Sequence, residues 1–364
     1  MPPCYFPVMT DRSPLYVSAV GIVSPAGLGA EPLRQLHSSA EKEMALSSSP
    51  SRSFPVFLVD RSDPRWNRWV EEPRLRRAGG LALFLVEAIH QALVGLREQA
   101  RSRMGLISVF NNGSIAHTAR FFAGYRGQGR RFASPLLFPE TVYNAATSHA
   151  AAVFGLLGPT CTLVGDESAW VEGIRMARIW LELGRASAVL VAAAEEVTSV
   201  SLDAFHSAGW LRKGRAFRPA EGSAALLLTT CPQDALFVLV DAPASIPYRN
   251  QEELASVASR LACELPPGVP VYQTAEGSWL GPLEKALLRQ MPSAGSFPYL
   301  GEAFAVSAGW HTIRAASLLS ERRREILLPL WGSIHQISWL HLRCLGDAGG
   351  RRRTLPPSRF DEPA

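Results

Sequence analysis

The chain has 364 residues, 47% of them hydrophobic and 19% charged, with a formal net charge of +5. A chain this long and this apolar buries a large core, which excludes an intrinsically disordered protein and a small disulfide scaffold. The positive charge alone would admit a nucleic-acid partner, but the arginines are dispersed, with short clusters only at Arg74 to Arg77, Arg322 to Arg324 and Arg351 to Arg353, and no nucleic-acid motif accompanies them.

Five cysteines, Cys4, Cys161, Cys231, Cys263 and Cys344, are scattered and form no C-x-x-C pair. That spacing argues for reduced thiols and against a disulfide framework or a zinc site. The N-terminal stretch has no basic start followed by an apolar run of signal-peptide length, and the most apolar segment, Leu81 to Leu96, carries Glu87 and His90 and is too short to span a bilayer. The expected location is the cytoplasm, with no membrane span.

In chain order, residues 1 to 14 are Pro-rich and read as loose. Leu15 to Val23 predicts a strand ending in the Ser24-Pro25-Ala26-Gly27 turn, and Ser38 to Arg74 a surface excursion held down by Trp66 and Trp69. A helix over Gly79 to Leu96 feeds a strand over Gly105 to Phe110, then helices near Ala116 to Gly124 and over Asn144 to Phe154. The stretch GPTCTLVGDESAWVEGIRMARIWLEL, Gly158 to Leu183, reads as a short strand, a sharp turn and a long amphipathic helix, with Asp166 as its cap and Glu167 in its first turn. Ala186 to Ala193 is a continuous apolar run, which predicts a strand buried on both faces. Leu211 to Phe217 is a polar loop, and Ser223 to Thr229 another apolar strand.

The second half runs as strand Leu236 to Ala242, helix Gln251 to Cys263, strand Pro270 to Gln273, helix Gly281 to Gln290, strand Ala303 to Ser307 and helix His311 to Leu319. Two strands follow, Ile326 to Leu330 and Ile337 to Leu342, and residues 346 to 364 read as a disordered tail.

The run Gly129 to Thr160 (GRRFASPLLFPETVYNAATSHAAAVFGLLGPT) and the strand, turn and helix after it resemble the acyl-carrier β-ketoacyl synthases of the thiolase-like superfamily. YVSAVGIVSPAG at Tyr16 to Gly27 is similar to that family's opening strand, FRPAEGSAALLLT at Phe217 to Thr229 to its GEGA-type strand, and WHTIRAAS at Trp310 to Ser317 to its GHTLGAAG segment. The resemblance implies an α/β thiolase-like fold of two similar βαβαβαββ halves, residues 15 to 230 and 235 to 343, in a five-layer αβαβα arrangement. It also implies that the helices starting at Glu167 and His311 converge on one pocket.

The same resemblance places Glu167 at the family's nucleophilic cysteine, Thr274 near its first histidine and His311 at its second. A carboxylate is a poor acyl acceptor compared with a thiolate at a helix end, while Cys161, six residues earlier, points into the core. Glu167 is then either an ordinary helix-end acid or the replacement of the nucleophile in a degenerate site. Trp310 and Arg314 stand where the family has glycines and narrow the site. Gly332 to Gln336 replaces the family's gate and oxyanion segment. Ser168 is a candidate hydroxyl without an evident base. Glu276 is pocket lining or solvated, His335 a ligand or a surface residue, and His149 a partner in an internal hydrogen bond.

The implied function is a ketosynthase-like subunit related to chain-length factors, paired with an active ketosynthase through a strand at Cys161 to Val164, in polyketide, aryl-polyene or fatty-acid-type biosynthesis. It implies no cofactor of its own, the acyl groups arriving on a phosphopantetheinyl acyl carrier protein, whose acidic surface suits the basic chain. The alternatives are a decarboxylase of malonyl-carrier thioesters and an acyltransferase.

Overall fold

The computed structural model describes residues 14–35, 41–212, 216–289, 291–296 and 299–345. The expectations for residues 1 to 13 and for the tail 346 to 364 lie outside the described residues.

Two five-stranded units carry the fold. The first comprises Leu15–Ser24, Met104–Phe110, Thr160–Val164, Ala188–Glu195 and Gly222–Thr229, and the second Phe237–Asp241, Val271–Gln273, Ser293–Ser296, Glu325–Trp331 and Gln336–Arg343. Numbered within each unit, both have the strand order 1-5-4-2-3, with the last two pairings parallel and the others antiparallel. The first strands of the two units pair with each other, Leu15 to Val17 against Phe237 to Leu239, joining them into one mixed sheet. The repeat is therefore one of topology, and no sequence identity signals it.

Strand Ala188–Glu195 shows why the units need helices on both faces. Every residue in it is buried. Val189, Val191 and Ala193 face the core between the units, and Leu190, Ala192 and Ala194 face the outer helices. Helix Gly80–Leu93 covers the outer face together with Ala145–Phe154, while Glu167–Glu182 and Ala305–Ser317 pack against each other and against strands of both units. Helices Gln251–Glu264 and Gly281–Leu287 belong to the far side. This is the five-layer α/β arrangement expected.

Three elements differ from the sequence reading. The excursion after the first strand contains a hairpin, Glu41–Ala45 paired with Ser53–Phe57, and Trp66 and Trp69 are both buried against helix Gly80–Leu93. A helix, Ser199–Ser207, follows the strand that carries Glu195 and is closed by a capping box between Thr198 and Ser201. The strand expected at Ala303 to Ser307 is not one: the third strand of the second unit is Ser293–Ser296, and a helix starts at Ala305. Phe304, at φ 52°, turns the chain into that helix, so the apolar run there reflects burial of a helix start between two layers. His311 is consequently its seventh residue, and the expectation that it begins the helix is corrected.

Candidate functional site

The site forms where helix Glu167–Glu182 starts. Asp166 caps it, accepting a hydrogen bond from the Ser168 amide at 3.0 Å, and its second oxygen accepts from the Ile334 amide at 2.7 Å. Glu167 follows, 6% exposed, with Oε2 accepting from the Ser333 amide at 3.0 Å and Oε1 3.1 Å from the Ser333 hydroxyl. Two adjacent acids thus clamp the turn that links strands Glu325–Trp331 and Gln336–Arg343. A side chain at Gly332 would collide with the Asp166 carboxylate and stand 2.6 Å from the Gln336 carbonyl, so the clamp needs glycine there. Tyr248 holds the turn from the other side, donating through its hydroxyl to the Gly332 carbonyl at 3.2 Å and through its amide to the His335 carbonyl at 3.0 Å.

A helix N-terminus favours a charged carboxylate, but burial works the other way. Burial prevails at Glu167 and holds its carboxyl well above the usual range, and the charges of Asp166 and Glu302 push in the same direction. Asp166 is also raised by burial, against the amides of Ile334 and Ser168.

Glu167, Thr274 and His311 line one cavity with Glu302, Ser307 and Ser333. The space open to the centre of a water molecule is about 20 Å³, room for about one water. Burial pushes His311 down to about 4, so it is neutral at pH 7, and its ring stands edge-on to Tyr272 with centroids 6.2 Å apart. Thr274 donates through its hydroxyl to the Pro329 carbonyl at 2.7 Å and through its amide to Glu284 at 3.0 Å. Glu284 also accepts from the Ala275 amide at 3.0 Å and from the Trp331 indole at 2.7 Å, fixing the loop that bears Thr274. The sequence reading missed it, because one acid in a short helix carries no signal of where it points.

The bulk around His311 is structural. Trp310 is 1% exposed and its indole donates to the carbonyls of Val23 and Ser223, each at 3.1 Å, fastening the second half's helix to two strands of the first. Arg314 lies beside the Tyr272 hydroxyl.

The other candidates separate from the cavity. Ser168 is fully buried and its hydroxyl has no hydrogen-bond partner among the described residues, so no base reaches it. Glu276 is not in that lining, but it borders an adjoining cavity with Thr274, Glu302 and His311 while reaching Lys285 at 3.6 Å. His335 is exposed, at φ 66°, with its ring 5.2 Å from that of Tyr248. His149 bonds Glu140 at 2.9 Å. Cys161, partly buried, packs against the central core. Among the described residues, no cluster of His, Cys, Asp and Glu could hold a metal ion, and no helix is long and apolar enough to cross a membrane.

A doubled βαβαβαββ unit, joined through its first strands and layered with helices, is the thiolase-like fold. Residues 67–231 match the family model described as beta-ketoacyl synthase, N-terminal domain. It is similar in fold to the ishigamide ketosynthase/chain length factor, at 18% identity and TM-score 0.76, the match covering 92% of this chain and 100% of that one. It is also similar to a type II polyketide ketosynthase solved as AntDE:AntF with its acyl-carrier protein, at 15% identity and TM-score 0.72, again over 92% and 100% of the two chains. A beta-ketoacyl synthase from Burkholderia phymatum STM815 matches at 13% identity and TM-score 0.70 over the same shares. No curated protein sequence matches the chain significantly.

Proposed function

We propose that the chain is a ketosynthase-like subunit without a nucleophile, a chain-length factor that pairs with an active β-ketoacyl synthase in polyketide, aryl-polyene or fatty-acid-type biosynthesis. One observation carries this reading. Where the resemblance puts the acyl-accepting cysteine stands Glu167, its carboxyl committed to Ser333 and facing a cavity with room for about one water. A carboxyl fixed in that way neither attacks a thioester nor leaves space for an acyl chain. The similar solved proteins include a ketosynthase/chain length factor and a ketosynthase with its carrier, which supports an active ketosynthase and an acyl carrier protein as partners. The strand Thr160–Val164, hydrogen-bonded on one side only among the described residues, is the edge through which pairing would run. On this reading the protein works in the cytoplasm and takes no cofactor of its own.

The test is to isolate the tagged protein from its own cells at native level and identify what accompanies it. A cysteine-bearing ketosynthase in one-to-one amount is the expected result. A self-dimer with no such companion would overturn the proposal. The convergence of Glu167, Thr274 and His311 on one cavity favours a second reading, a malonyl-carrier decarboxylase. That reading requires carbon dioxide release that falls when His311 is changed to Ala, and equal release from parent and variant removes it.

A further inference from the structure

Helix Ile115–Gln128 has fourteen residues, and His117 is its only buried side chain. Helix Gly80–Leu93, of the same length, buries eleven residues. Helices of this length owe most of their stability to a packed face, and among the described residues this one packs chiefly against the segment that follows it, residues 130 to 141, and only lightly against Ser199–Ser207. Its outward residues are not those of a solvated helix. Phe122 and Tyr125 are exposed on it, and in the segment that packs against it Phe132 is 66% and Phe138 56% exposed, with Leu136 beside them. Phe121 ties the group together, its ring 5.5 Å from that of Phe138 and 6.4 Å from that of Tyr125. Helix Ala145–Phe154 continues this segment, and Thr147 bonds Thr162 of the edge strand at 2.8 Å. Exposed aromatic groups collected on one face mark a surface that another protein covers.

The charges on this face decide what covers it. Arg120, Arg126, Arg130 and Arg131 are all exposed. The only carboxylate between residues 115 and 143 is Glu140, which is buried and bonded to His149 at 2.9 Å. A second copy of the chain, docked on this face about a two-fold axis, would bring these arginines together with no exposed acid from residues 115 to 143 to meet them. Facing like charges weaken such a contact and select against it.

We propose that this arginine-rimmed aromatic face rejects a second copy of the chain and binds a different protein, whose apolar surface is bordered by exposed Asp and Glu. The proposal rests on the pairing reading above, in which that protein is the active ketosynthase subunit. It goes further by giving a reason for the pair to be heteromeric and a sign for the partner's charge.

The test uses the purified full chain and a variant carrying Arg120→Glu, Arg126→Glu, Arg130→Glu and Arg131→Glu, with Arg130→Glu/Arg131→Glu as a milder form should the first fold poorly. In sedimentation at about 50 mM salt, where charges are weakly screened, the parent alone is expected to be monomeric, and an equimolar mixture with the reversed variant to form a one-to-one species. About 500 mM salt should weaken that mixed species tenfold or more. A stable parent dimer at low salt, undiminished by the reversal, would overturn the proposal. A ketosynthase that binds the parent should lose tenfold or more in affinity for the reversed variant. Equal binding of both forms would sink the charge argument and leave the pairing reading standing. A parent that binds no ketosynthase yet still pairs with its reversed copy removes the pairing reading and supports the selection by charge. Binding of an acidic carrier protein at this face, with the ketosynthase excluded, counts against the proposal.

Discussion

The clamp at Glu167 can be taken apart by two substitutions that differ only in what they leave behind. Glu167→Ala strands the Ser333 amide, a buried donor whose only hydrogen-bond acceptor on the carboxyl is removed. An unmet buried donor costs about 1–3 kcal/mol, and the lost methylene adds about 0.8 kcal/mol, so a total of about 2–4 kcal/mol is expected. Glu167→Gln keeps the acceptor and a donor for the Ser333 hydroxyl while removing the proton. Because the carboxyl is held well above its usual range in the folded chain, the folded state keeps a proton that the unfolded chain releases near pH 4.5. The stability of the parent therefore falls as pH rises from the unfolded pKa toward the folded one, by up to about 1.4 kcal/mol per pH unit from this group. Below pH 6.5 the buried His311, lowered to about 4, and His90, lowered to about 4, pull in the opposite direction, and above it Glu195 adds a decline of its own, so the readout is the gap between variant and parent, in which these groups cancel. Denaturant unfolding of the parent and both variants at pH 6.5 and pH 8 measures this. Glu167→Gln should gain on the parent between the two pH values, while Glu167→Ala is weaker than Gln at both. A gap between Gln and parent that does not change with pH would refute the raised carboxyl, and an alanine cost under about 0.5 kcal/mol would refute the clamp.

Glu195, pushed up to about 8 by burial beneath the amides of Asn111 and Asn112, should add its own decline in stability up to about pH 8, which Glu195→Gln flattens in the same unfolding series. Trp310→Ala should cost about 3–5 kcal/mol, since it empties a buried site and leaves the Val23 and Ser223 carbonyls without the indole; a cost below about 2 kcal/mol would mean that the two halves repack. Gly332→Ala drives a methyl group into the Asp166 carboxylate and should speed hydrogen exchange at the Ser333 and Ile334 amides about tenfold or more, an effect absent if the turn adapts. Glu167→Cys should remain unlabelled by an acyl-carrier thioester, because a thiol alone does not open a cavity sized for about one water; a labelled thiol found by mass spectrometry would show that the cavity opens.

What sequence alone settled were the features governed by local chemistry. The double-faced apolar run Ala186 to Ala193, realised as strand Ala188–Glu195, the cap at Asp166 and the acid in the first turn behind it follow from residue type and spacing. The start of helix Ala305–Ser317 was misread because a helix entered between two layers is apolar on every side and shows no period until its later turns. Only the tertiary structure brought Ser333 and Ile334 onto the acids some 166 and 168 residues away, aimed Glu284 at the Thr274 loop, and closed the cavity between Glu167 and His311. Sequence can nominate Glu167 as an unusual residue at a helix start. Whether that residue attacks a substrate or fastens a turn depends on which backbone amides the other half of the chain presents to it, and long-range packing decides that.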